Sequence, residues 1–194
     1  MRYILAFLLV PALALAHTMS PTDYIRGNVD AVIAILTDPA HSGETISDAQ
    51  MDQISAMADD FFDVPELSKR ALGQYWRTFT QDQRLEFQKI FVQLLKSVYL
   101  KRSITYNNER VIFDQEILKS EILAEVHTTL TSPELHVPVF YYLTKRSGTW
   151  KVYDIAVENV SLVKNYRSQF QSILQTKSPD QLMAILKEKI NEQG

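Results

Sequence analysis

Four histidines offer this chain its best chance of metal or acid–base chemistry, and two of them, His127 and His136, fall in stretches that predict neighbouring strands. His17 and His41 lie near the start and in a loop-like segment. A closed zinc site needs about four nitrogen or sulfur ligands. With no Cys in the chain and no further His at ligand spacing, the pair predicts packed or surface histidines and no metal site. A serine nucleophile would need a strained elbow such as G-x-S-x-G, and a phosphate cradle would need closely spaced glycines. The five glycines, Gly27, Gly43, Gly73, Gly148 and Gly194, are too scattered to form either. One acid–base set remains: Asp154 with Tyr153, Tyr141, Tyr142 and Tyr166, residue types with which a cone-shaped α+β enzyme could move protons in a pocket. Strand alternation turns Asp154 away from the face of Tyr153 and Ile155. Tyrosines on a sheet more commonly pack the ring and wet the hydroxyl. No catalytic residue is assigned.

The elements that must position these side chains are clearly punctuated. Ser20-Pro21-Thr22-Asp23 supplies an N-cap serine, a proline at the first helical position and an acid in the first turn. Ile25, Val29, Val32, Ile33 and Leu36 follow, predicting a helix from about Pro21 to Thr37. Asp38 to Gly43 reads as a loop. Ser47-Asp48-Ala49-Gln50 is a capping box, flanked by Ile46 and Met51 at staple positions, for a second helix with Ile54, Ala58 and Phe61 on one face. Asp63-Val64-Pro65-Glu66 opens a short third helix that Gly73 can end. Thr80-Gln81-Asp82-Gln83 caps the longest helix, whose stripe of Phe87, Ile90, Phe91, Leu94, Leu95, Val98 and Tyr99 must be buried. Lys101 and Arg102 suit its C-terminus.

After a turn at Asn107-Asn108 the period changes to two. Strands are predicted over Val111–Ile117, Ile122–Thr131, Leu135–Thr144 and Trp150–Val160, joined by short turns at Ser132-Pro133-Glu134 and Ser147-Gly148. Such connections make an antiparallel meander. Ser161 can cap a helix to about Leu174, and Ser178-Pro179-Asp180-Gln181 a last one with Leu182, Ile185, Leu186 and Ile190 on one face. The order of helices, strands and helices predicts an α+β fold: a curved antiparallel sheet of about four strands packed with helices on both sides, of the NTF2-like kind, plus an N-terminal helical part. The helical part is expected over about 17–104, and the sheet with the C-terminal helices over about 105–194. On the third strand Val137, Val139, Tyr141 and Leu143 share one parity, yet Phe140 and Tyr142 make the other apolar too. A strand apolar on both faces has to be covered on both. The long helix around Phe91 is expected over one face and the helix from Leu162 to Phe170 over part of the other.

The first sixteen residues carry Arg2, an apolar run from Ile4 to Leu15 and Ala14-Leu15-Ala16, the pattern of a signal peptide cleaved after Ala16. The run is shorter than the roughly 20 apolar residues of a membrane span. Of 20 basic side chains, loss of Arg2 leaves 19 against 23 acidic ones, a mild acidic balance that gives no support to nucleic-acid binding. The absence of Cys removes disulfides and suits an oxidising compartment.

Two blocks carry a resemblance. Phe61-Phe62-Asp63 and the stretch from Gly73 to Tyr99, with Trp76, Thr80, Gln83, Arg84, Phe87, Phe91, Leu94 and Leu95, form the first; Trp150 to Phe170, with Tyr166, Arg167 and Gln169, forms the second. Together they resemble the MlaC family of periplasmic phospholipid carriers, also called toluene-tolerance proteins. The likeness spans about residues 59–170, with Asn159 where the family usually has Gly. It implies a periplasmic, monomeric carrier that is not an enzyme and has no cofactor beyond a phospholipid as cargo. Its implied partners are an inner-membrane Mla-type ABC transporter complex and an outer-membrane lipoprotein complex. The lining it implies is Phe91, Leu94, Leu95 and Val98 on the long helix, Val137, Val139, Tyr141, Tyr153, Ile155 and Val157 on the strands, and Val163, Tyr166 and Phe170 on the next helix. Which strand parity faces the cavity stays open. Lys101, Arg102, Lys145, Arg146 and Arg167 are the basic residues available to a headgroup or an acidic docking surface. Two other readings stay open beside this one, an NTF2-like enzyme and a periplasmic chaperone or lipoprotein carrier. The enzyme expects titratable groups converging in a pocket, the chaperone an open groove, and the lipid carrier an almost wholly apolar cavity.

Overall fold

The computed structural model describes residues 19–38, 46–99, 109–146 and 148–192. The expected leader, the loop with His41, Lys101, Arg102, the turn at Asn107-Asn108 and Ser147 lie outside the described residues. Helix α1 (Pro21–Leu36) starts as its residues dictate, the Asp23 N–H donating to Ser20 Oγ at 3.0 Å. Helix α2 (Asp48–Phe61) has both halves of its capping box: the Gln50 N–H donates to Ser47 Oγ and the Ser47 N–H to Gln50 Oε1. Asp63 caps α3 (Val64–Leu72) by accepting from the Glu66 N–H at 2.9 Å. Gly73 ends that helix with φ +56°, a backbone that side chains disfavour. A 3₁₀ turn over Gly73–Thr78, absent from the sequence reading, leads into α4 (Gln81–Tyr99), capped by Thr80.

Five strands follow in meander order, each antiparallel to the next: β1 (Arg110–Ser120), β2 (Leu123–Ser132), β3 (Leu135–Arg146), β4 (Thr149–Val157) and β5 (Val160–Ser161). The strand expected to run unbroken from Trp150 to Val160 stops at Val157. Glu158 and Asn159 take φ of +51° and +66°, so the chain makes a two-residue turn of the mirror-image type that matches strand twist, and Val160 folds back opposite Val157. Irregularities in register on β1 and between Tyr142 and Leu143 of β3 bend the sheet. Helices α5 (Leu162–Leu174) and α6 (Pro179–Glu192) complete the α+β fold, α5 capped by Ser161.

Two cores form. Ile25 of α1 buries against Ala124, Val126, Leu143, Trp150 and Val152 on one face of the sheet. The register puts Val137, Val139, Tyr141 and Leu143 on that same face, so this parity looks toward α1 and α2. The second core is helical: Leu67 and Leu72 of α3, Phe87, Phe91 and Leu94 of α4, Tyr166 and Phe170 of α5 and Leu182 of α6. Phe91 meets Tyr166 at 5.1 Å and Phe170 at 5.3 Å, ring centre to ring centre and edge on. The long helix therefore does not serve as the cover of the sheet that its sequence suggested. Its stripe meets equally apolar stripes on α3, α5 and α6, and these helices bury one another. Helices α3 and α5 reach the sheet at β4, where the Asp63 N–H donates to the Val152 carbonyl at 2.8 Å.

Candidate functional site

Among the described residues, two cavities open beside the cores. The first cavity, about 440 Å³, lies between α1, α2 and the sheet. Val29, Val32, Ile33 and Leu36 of α1 face Ile54, Met57, Ala58 and Phe61 of α2, with Val111, Leu130, Tyr141 and Ile155 from the strands below. Helix α1 is held at both ends: the Trp150 indole N–H donates to the Met19 carbonyl at 3.1 Å, and the Gln50 side-chain amide donates to the Ile35 carbonyl at 2.6 Å. Only Pro21 and Ile25, in its first turns, are fully buried. Of its later apolar residues, Val29 packs against the sheet-face core and also lines the cavity, and Val32, Ile33 and Leu36 line the space beyond it.

The second cavity, about 400 Å³, is enclosed by Phe62, Val64 and Leu67, by Val92, Leu95, Lys96 and Tyr99 of α4, and by Ile155, Val157, Val160, Leu162 and Asn165. Ala58 and Ile155 line both cavities. Consecutive aromatics divide between them, Phe61 in the first and Phe62 in the second, their rings edge to face at 5.0 Å. Polar groups on the walls are few: Asn28 and Glu109 in the first, Lys96 and Asn165 in the second. Lys96 pairs with Asp59 at 2.7 Å, and the Asn28 amide donates to the Tyr24 carbonyl. Burial raises the Tyr141 hydroxyl above its ordinary range, so this wall residue stays neutral at physiological pH. Tyr99, Val157 and Val160 are exposed large apolar side chains beside the second cavity.

Of the thirteen lining residues implied by the resemblance, Leu95, Tyr141, Ile155 and Val157 stand on cavity walls. Phe91, Leu94, Val163, Tyr166 and Phe170 belong instead to the closed helical core, and Val98 packs against it. Val137 and Val139 have the parity of the lined face but line neither cavity. Tyr153 is displaced by a bulge: Val152 pairs with Leu143 and Asp154 with Tyr142, leaving Tyr153 as the extra residue. Its ring sits under the Arg70 guanidinium, 4.0 Å from the ring centre. What the sequence reading missed is the share of α1 and α2. The signal was present, since both helices show an apolar face, and on α2 that face carries a small residue, Ala58, where a core would want a large one.

The acid–base set does not assemble. Asp154 lines neither cavity, and its oxygens accept from Ser161 Oγ at 2.6 Å and from the Val163 N–H at 3.0 Å, so the carboxylate serves the start of α5. Tyr166 lies in the helical core, where burial and then Tyr99 push its hydroxyl up to about 12. His127 stacks on Phe140 at 4.1 Å with Nε2 3.2 Å from Glu125, while His136 meets Thr131. Among the described residues no group of three or more His, Cys, Asp or Glu could hold a metal, and no helix is long and apolar enough to cross a membrane. Of the basic candidates, Arg146 pairs with Asp63 and Glu66, Lys145 lies over Trp150 and Arg167 donates to the Arg70 carbonyl. None of these three lines a cavity.

The same fold holds in a solved phospholipid-binding protein from Ralstonia solanacearum, in complex with a phospholipid, with a TM-score of 0.75 at 23% identity over 88% of this chain and 96% of that one. A toluene tolerance protein, ttg2D of Pseudomonas putida, is 25% identical over 92% of this chain and 84% of its own length. The intermembrane phospholipid transport system binding protein MlaC of Haemophilus influenzae is 23% identical over 63% of this chain and 60% of its own. The family model described as MlaC protein matches residues 26–188, from the first turns of α1 into α6. This chain belongs to the MlaC family.

Proposed function

We propose that this chain is a periplasmic phospholipid carrier that takes a lipid from one membrane complex and gives it to another, performing no chemistry on it. The observation that supports this reading most directly is the pair of apolar cavities between sheet and helices, whose walls among the described residues carry four polar side chains and two tyrosine hydroxyls in an otherwise apolar lining. A phospholipid's tails cannot cross water unaided: exposing one chain of about 16 carbons costs roughly 13 kcal/mol at ~0.8 kcal/mol per methylene. A carrier has to replace that lost contact area with side chains, and a phosphate headgroup has to stay wet because burying it without partners is prohibitive. The names of the relatives point the same way, one being part of an intermembrane phospholipid transport system and another solved with a phospholipid bound. The complexes at the two ends of the journey would be an inner-membrane ABC transporter and an outer-membrane lipoprotein assembly.

Native mass spectrometry of protein purified from a bacterial periplasm, followed by lipid extraction, tests the reading. The expected result is a monomer carrying intact diacyl phospholipid. Lipid-free protein that also takes up nothing from liposomes would overturn it, and accumulation of lysophospholipid over time would revive the enzyme.

A further inference from the structure

We propose that the last two turns of α1 form a lid over the first cavity and that the Gln50 side chain clasps it, so that one hydrogen bond sets how fast cargo enters and leaves. The inference rests on the carrier reading and adds to it a moving part and the residue that governs it. The two halves of α1 are held differently. Its first two turns are fastened on several sides: Ile25 is buried in the core on the sheet face, the Thr22 N–H donates to the Glu116 carboxylate at 2.8 Å, the Arg26 guanidinium lies 4.0 Å over the Phe113 ring, and Tyr24 stacks on Phe61. Further on, Val32, Ile33 and Leu36 run along the cavity wall, and none of the three is fully buried. Gly27 stands at the join between these halves. A Cβ added there would meet nothing within 4 Å, so packing does not call for glycine, and glycine is among the weakest helix formers.

The far end of α1 is joined to α2 by a side chain that serves both helices. The last carbonyls of a helix and its first N–H groups have no partner within it. Gln50 meets one of each: its Oε1 accepts from the Ser47 N–H as half of the α2 capping box, and its Nε2 donates to the Ile35 carbonyl in the last turn of α1 at 2.6 Å. Gln50 is only 3% exposed, so water does not readily take the place of either bond. Lifting the end of α1 breaks the bond to Ile35 yet pulls no large side chain out of a packed core, since Val32, Ile33 and Leu36 face the cavity. Lifting its start would tear Ile25 from the sheet. Helix α1 is therefore built to open at one end and stay closed at the other.

Gln50→Glu separates the clasp from the cap, because a glutamate still accepts from the Ser47 N–H but presents an oxygen in place of a donor to the Ile35 carbonyl. Ser47→Ala is the converse, removing the capping hydroxyl and leaving the Gln50 amide on Ile35. The whole protein is loaded with a pyrene-labelled phosphatidylglycerol and mixed with unlabelled liposomes at neutral pH, with release followed by fluorescence and amide hydrogen exchange measured on the same samples. Gln50→Glu should release lipid about three- to tenfold faster, the worth of one hydrogen bond. Its amides from Val32 to Leu36 should exchange faster by a similar factor, with Tyr24 to Arg26 unchanged. Ser47→Ala should melt lower without faster release, and Gly27→Ala should slow release. Release at the wild-type rate in folded Gln50→Glu, or faster amide exchange spread evenly along α1, overturns the clasp and leaves the carrier reading standing. Wild-type protein that takes up no lipid sinks both. Should Gln50→Glu not fold, Gly27→Ala decides, and unchanged release in that variant overturns the lid.

Discussion

Leu94 and Leu95 are neighbours in sequence with opposite surroundings, and the difference can be measured. Leu94 is 0% exposed in the helical core, whereas Leu95 lines the second cavity. Leu94→Trp should therefore overpack a closed core and lower stability by about 1–3 kcal/mol, with lipid content of the folded fraction unchanged. Leu95→Trp should leave the melting temperature close to wild type and reduce extracted lipid. Asp154→Asn should cost about 1–3 kcal/mol, because the carboxylate accepts two buried hydrogen bonds at the start of α5. Thermal denaturation reads that loss, and lipids incubated with the variant should come back chemically as they do from wild type. Tyr24 and Tyr166 give the protein an alkaline limit. Burial, helped by Asp60 for Tyr24 and by Tyr99 for Tyr166, raises both hydroxyls to about 12. A raised pKa means the fold favours the neutral phenol, so its contribution is complete below pH 10 and is lost as pH climbs toward 12. Melting temperatures should fall across that window, and less steeply in Tyr166→Phe.

At the scale of elements, local chemistry was legible wherever a cap or a period acts over a few residues. Ser20, Ser47, Asp63, Thr80, Ser161 and Ser178 all open helices as their side chains predict. Strand period was legible too, but the end of β4 was not. The polar pair Glu158-Asn159 falls inside the single strand expected to reach Val160, and the positive φ at both residues instead turns the chain back. Asn adopts that conformation readily; Glu does so at a cost of about 1 kcal/mol. Glu158→Gly should accordingly raise stability by up to about 1 kcal/mol, and Glu158→Val should lower it by more. Gly73 is the opposite case, since it already has the residue its φ of +56° requires. Gly73→Ala should cost about 1–3 kcal/mol from backbone strain, because the nearest atoms to an added Cβ, on Arg167, stand at an ordinary 3.5 Å. Chemical denaturation of the three variants separates gain from loss.

At the scale of the whole molecule, the cavities make stability depend on cargo. A ligand that binds only the native state at a hundred times its Kd adds about 2.7 kcal/mol, so delipidated protein should melt well below the loaded form and recover on incubation with liposomes. Calorimetry with and without lipid checks this, and identical melting would mean that the cavities hold nothing. By itself the sequence determined the α+β order, the meander and the caps, because each depends on side chains within one turn or one hairpin of each other. The motifs at Gly73 to Tyr99 and Trp150 to Phe170 were enough for the family. Only the tertiary structure decided which apolar residues are core and which are cavity wall. Phe91 and Phe170 look no different in sequence from Leu95 and Ile155, since all are apolar at helical or strand period. What separates them is whether another stripe arrives opposite, as α5 and α6 do for Phe91, or whether two surfaces are held apart, as α1 and the sheet are around Val32 and Leu130. That is a property of how whole elements meet, set by the anchors at Met19, Gln50 and Asp63, and no local pattern encodes the distance between two faces.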